Sequence, residues 1–69
     1  MKRVIGNRIK EIRTEHNLSQ AEFGKLFFVS QDTVSLWENG KSYPNTEFVI
    51  AIAKKFNISA DYILCLDNE

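Results

Sequence analysis

The sequence predicts an all-α fold, a compact bundle of five short helices. Three observations carry this. Apolar residues recur at helical spacing along most of the chain; start signals of one kind, a hydroxyl or amide residue set between apolar ones, return at intervals; and no segment alternates with period two, so no strand is expected. The chain has 69 residues, about 43% of them hydrophobic, which suffices for one core in one domain over residues 1–69.

Ile5, Ile9, Ile12 and His16 fall at i, i+4, i+7 and i+11, so 4–16 reads as one amphipathic helix. Ser19 with Glu22 three residues on is a capping box, and Leu18 with Phe23 forms the matching hydrophobic staple, opening a helix over 20–27. The device returns at Ser30, between Val29 and Val34, with Asp32 in the first turn of a helix over 31–38. Asn45 or Thr46 caps a helix over 46–56, and Ser59 opens a last one over 60–65. Asn17, Asn39–Gly40 and Asn57 are the stops, residues that tolerate a left-handed helix end.

The caps of the second and third helices lie eleven residues apart, the dimension of a helix-turn-helix over about 19–38. On the third helix Val34 and Trp37 share a face expected to be buried, so Trp37 is core and not a stacking platform. Asp32, Ser35, Leu36 and Asn39 lie opposite, with Gln31 at the leading edge, a shape that fits a major groove.

Composition narrows the function without choosing it. Nine basic and nine acidic residues cancel, although Lys2, Arg3, Arg8, Lys10 and Arg13 crowd the first thirteen positions while Asp61, Asp67 and Glu69 weight the end. One cysteine excludes an internal disulfide, and Cys65 with His16 is too few ligands for a structural zinc site; no metal or other cofactor is expected. Cys65 reads as a small apolar residue, and His16 as a histidine at the core's edge. The longest apolar run, 48–53, is far short of the roughly 20 residues of a membrane span, and no signal peptide is evident, so a cytoplasmic protein is expected. No phosphate-binding loop, paired carboxylates or nucleophile–base set is present, so neither an enzyme nor a small-molecule substrate is expected.

The stretch Leu18-Ser19-Gln20-Ala21-Glu22-Phe23-Gly24, continued by Val29 to Lys41 with its Trp37-Glu38-Asn39-Gly40-Lys41 ending, resembles the Cro and phage-repressor type of helix-turn-helix, the lambda-repressor-like fold. Residues 5–13 and 58–64 are similar to that family's first and last helices, so the likeness spans nearly the whole chain. The resemblance implies a sequence-specific transcriptional regulator, a repressor, that reads double-stranded DNA at a palindromic operator as a homodimer. It implies that Gln31, Asp32, Ser35 and Leu36 face base edges, and that Gln20, Ser30, Asn39 and Lys41 contact the phosphate backbone, Gln20 also bracing the third helix. It further implies an ion pair between Arg13 and Glu38.

The residues' own chemistry bears on these roles. The Gln31 amide matches an adenine edge, Asp32 matches a cytosine amino group or simply a positive helix end, and Leu36 matches a thymine methyl, a protein partner or nothing. Tyr43 has a hydroxyl that can reach phosphate or a ring that closes the loop on Pro44; Lys2, Arg3 and Lys10 read as a phosphate-facing arm or as solvated charge. Tyr62, Ile63, Leu64 and Leu66 exceed what one face of a short helix buries, so they are expected at a dimer interface, the alternative being that this helix simply closes the monomer core.

Three positions depart from the family pattern. Phe28 stands where glycine is usual in the turn, so either the turn is rebuilt or packing holds the ring. Gly24 replaces the common alanine. The third helix has no Lys or Arg and carries Asp32. The competing class is a non-enzymatic protein-interaction module of the same fold, a partner subunit or an antitoxin-like protein, docking through Leu36 or Phe28.

Overall fold

A computed structural model describes residues 2–64, with side chains from Val4 onward. The helices are α1 (Lys2–Glu15), α2 (Gln20–Leu26), α3 (Gln31–Glu38), α4 (Thr46–Phe56) and α5 (Ala60–Ile63), with no strand among the described residues. The first starts two residues earlier than expected, and α2 and α5 stop one and two residues short. Cys65, Leu66 and the side chains of Lys2 and Arg3 lie outside the described residues.

Each start follows from its cap. Ser19, Ser30, Asn45 and Ser59 sit in extended backbone, and each side-chain oxygen accepts the backbone N–H three residues on. Asn45, not Thr46, caps α4. At Ser19 the box closes both ways: its Oγ accepts from Glu22 N at 3.0 Å, and its own N–H donates to Glu22 Oε1 at 2.8 Å. The backbone N–H of Ser19 donating to the carboxylate, then a hydrogen bond to the carboxylate from the Ser19 hydroxyl, holds the Glu22 carboxyl below its ordinary range.

The ends of α1 to α4 share one device, a single left-handed residue followed by an N–H that reaches back over the last turn. Asn17, Gly40 and Asn57 take the left-handed position at φ 58°, 73° and 56°. The closing bonds run from Leu18 N to Arg13 O, Lys41 N to Leu36 O, and Ile58 N to Ala53 O, at 2.9–3.1 Å. At the end of α2 the left-handed residue is Phe28, at φ 61°. Val29 N there donates to Gly24 O at 3.0 Å, and Phe28 N to Lys25 O at 3.4 Å. The turn is therefore neither rebuilt nor held by the ring, which is 96% exposed. Both expectations for Phe28 fail, and the hydrogen-bonding frame of the turn alone imposes its conformation.

The core joins Ile5, Ile9 and Ile12 of α1 to Phe23, Phe27, Val34, Trp37, Val49, Ile52 and Ile63. Phe23 stacks on Phe56 with centroids 5.9 Å apart, and Trp37 tilts against Phe48 at 5.3 Å. His16 sits at the core's edge, its residue exposed overall: as α1 ends there, its Nδ1 bonds the Ile12 carbonyl oxygen at 2.8 Å and its ring lies 4.4 Å from that of Phe56.

Candidate nucleic-acid interface

Two faces of α3 do different things, and the inner one sets where the outer one points. Val34 is fully buried and Trp37 is 3% exposed. Backbones also meet directly on this side. A Cβ on Gly6 of α1 would lie 2.8 Å from the Glu38 carbonyl oxygen, so only glycine lets α1 cross the end of α3 this closely. Gly24 serves the entry of α3 in the same way, since a Cβ there would stand 2.6 Å from the Val29 carbonyl oxygen.

Glu38 is the buried charge of this junction. Arg13 Nε donates to Glu38 Oε2 at 2.7 Å and Nη2 to Oε1 at 3.1 Å, a forked pair whose side chains are only 12% and 4% exposed. Arg13 Nη1 donates to the Leu18 carbonyl oxygen at 2.8 Å, and Gln20 Nε2 to Glu38 Oε1 at 3.1 Å. One carboxylate thus ties α1, the α1–α2 connection and the start of α2 to the last residue of α3. No buried side-chain polar atom among the described residues lacks a partner.

The outer face carries Gln31, Asp32 and Leu36, all exposed, with Ser35 half-buried beside them. Leu36 is 44% exposed, an apolar side chain with its own packing incomplete. Ser35 Oγ accepts from Asn39 Nδ2 at 3.2 Å, which orients the Asn39 amide along the same face. Ser30 is engaged in capping: Oγ accepts Thr33 N at 3.2 Å and bonds Thr33 Oγ1 at 3.1 Å. Lys41 is exposed just past the helix, and Tyr43 is 47% exposed in the loop before the buried Pro44. The structure therefore brings Gln31, Asp32, Ser35, Leu36 and Asn39 onto one surface, with Gln20 half-buried and turned into the Glu38 junction.

The residues expected at a dimer interface are placed differently. Ile63 is fully buried in the protomer's own core, because the short α5 folds back to seat it there. It is corrected from interface to core. Tyr62 and Leu64 are half-buried against that core, and Leu66 lies outside the described residues. Arg8, whose role the sequence did not single out, explains part of this. Its Nη1 donates to the Tyr62 carbonyl oxygen at 2.8 Å, its guanidinium sits 4.1 Å over the Tyr62 ring, and its Nε lies 3.5 Å from Glu11 Oε1. The available signal was its place one residue from the Ile5–Ile9–Ile12 stripe. Beside Tyr62, a groove of about 300 Å³ runs between Ile12, Glu15, His16, Ile58 and Ser59.

Comparison with known proteins agrees with this geometry. The helix-turn-helix family matches residues 9–63. An uncharacterised HTH-type transcriptional regulator of Archaeoglobus fulgidus is 36% identical over 62 residues, covering 90% of this chain and 87% of that protein. Antitoxin PezA of Streptococcus pneumoniae is 41% identical over 56 residues, 81% of this chain but 35% of the antitoxin. Among solved structures, the c2 repressor of phage P22 in complex with synthetic operator 9T superposes with a TM-score of 0.78 at 36% identity, covering 86% of this chain and 89% of that one. The chain spans about a third of the length of several curated relatives it matches. No helix among the described residues is long and apolar enough to cross a membrane. With most of its length matched and its two-helix unit in place, the chain belongs to the helix-turn-helix family of the Cro and phage-repressor type.

Proposed function

We propose that this chain is a sequence-specific DNA-binding transcriptional regulator, a repressor, acting as a cytoplasmic homodimer on a palindromic duplex without a cofactor or catalytic activity. The observation that carries this reading is the division of α3: Val34, Trp37 and Glu38 are buried, while Gln31, Asp32 and Leu36 stand free on one side. A rigid helix with hydrogen-bonding and apolar groups on its outer face suits the major groove. Ser35 lies beside those groups. Ser30, Asn39, Lys41 and Tyr43 flank them as phosphate contacts, with the backbone N–H groups of Gln31 and Asp32 at the start of α3 assisting. Gln20 supports the reading from behind through Glu38. The superposition on a repressor solved with its operator supports DNA as the partner.

Selection from random duplex DNA at two salt concentrations, with molar mass measured alongside, tests it. An enriched palindrome bound by a dimer is expected. Because the chain has no net charge, affinity should fall with salt less steeply than for about ten neutralised phosphates. Gln31→Ala should relax preference at one base pair of each half-site, and Lys41→Ala should weaken all sequences about equally.

Phe28 favours a second reading, a protein-interaction module like an antitoxin: an aromatic ring held 96% exposed at a left-handed position is an anchor without a partner. That reading predicts no enriched duplex and a partner lost on Phe28→Ala.

A further inference from the structure

Resting on the reading of α3 as the base-reading element, we infer that Asp32 makes this protein select against guanine, and for an amino-bearing base, at the position under the first turn of that helix. The argument starts from what α3 lacks. None of its eight residues is Lys or Arg, so it has no cationic fork for the paired acceptors that guanine presents at O6 and N7. Its exposed groups are one amide, one carboxylate and one branched alkyl chain. A carboxylate only accepts. Facing guanine it sets acceptor against acceptor and is left desolvated without a donor; facing cytosine N4 or adenine N6 it receives a hydrogen bond. Among the described residues no side chain pairs with Asp32, whereas the nearby hydroxyls of Ser30 and Thr33 are bound to each other.

The same charge is repelled by every phosphate, so Asp32 lowers affinity for all DNA while raising discrimination among sequences. That opposition separates the proposal from a helix-terminal charge, which affects affinity without touching base preference.

The test is random-duplex selection and anisotropy titration with the full chain and with Asp32→Asn and Asp32→Ala, folding being checked by circular dichroism. Asparagine keeps the shape and adds a donor. For Asp32→Asn, affinity for unrelated duplex should rise and guanine should become tolerated at one position per half-site, with discrimination there falling roughly tenfold. Asp32→Ala should lose the preference at the same position without gaining another. If the native chain enriches a sequence but both variants keep every base preference, the role of Asp32 is overturned and the regulator stands. If the native chain enriches nothing, the regulator reading falls and this inference with it.

Discussion

The carbonyl oxygen of Val29 lies only 2.6 Å from where the first side-chain carbon of any other residue at position 24 would be. Gly24 O in turn accepts Val29 N at 3.0 Å. The two residues close the turn between α2 and α3 from both sides, and α3 begins two residues after Val29.

Gly24→Ala should therefore destabilise the protein even though alanine is the better helix former by about 1 kcal/mol. The methyl meets backbone, which yields only if the turn opens. A net loss of about 1–3 kcal/mol in urea denaturation is expected. A gain in stability would show that the turn gives way freely.

Phe28→Gly should act in the opposite direction. The ring is 96% exposed, so its removal forfeits almost no burial, while the φ of 61° no longer strains a side chain. After the greater freedom of glycine in the unfolded chain is subtracted, about 0.5–1 kcal/mol of stabilisation remains. A loss on the same denaturation curve would mean that the ring is packed.

Removing Glu38 alone leaves Arg13 charged and only 12% exposed. Glu38→Ala should cost about 3–5 kcal/mol, whereas Arg13→Met with Glu38→Leu should cost much less, because no uncompensated charge remains. Additive losses in the double-mutant cycle would contradict the geometry.

Much of this fold was legible because its signals are local. A serine or asparagine cap requires only the next three residues, and all four proposed capping sites fold as read. The left-handed conformation kept by Phe28 was not legible, because a bulky residue there argued for a rebuilt or packed turn and the bonds that impose it run through the backbone. What was lost depends on contacts distant in sequence. Arg8 meets Tyr62 across 54 positions, and its cover over that ring, with Ile63 drawn into the core, removes much of the surface assigned to dimerisation. His16 shares the helical phase of Ile5, Ile9 and Ile12, and although α1 ends at Glu15 its ring still meets Phe56, a contact 40 positions away. The outer face of α3 was visible from helical phase, because the inner face is fixed by large apolar residues.

Glu22 makes the protein's stability depend on acid. Its carboxyl is held below the ordinary 4.5 by hydrogen bonds from Ser19, so the folded state favours the ionised form. That contribution is complete above about pH 4.5 and is lost as pH falls through the lower folded value. Glu22→Gln keeps an acceptor for the capping box and cannot ionise. The difference between the two stability profiles should shrink as pH drops below that point; profiles that stay parallel would contradict it.

The most direct measurement follows backbone amide NMR shifts while the protein is titrated with its selected duplex. The largest changes are expected at Gln31, Asp32, Ser35 and Leu36, with smaller ones at Gln20 and Lys41. Shifts centred instead on Ile12, His16 and Tyr62, or none with any double-stranded DNA, would contradict the assignment of α3 as the reading surface.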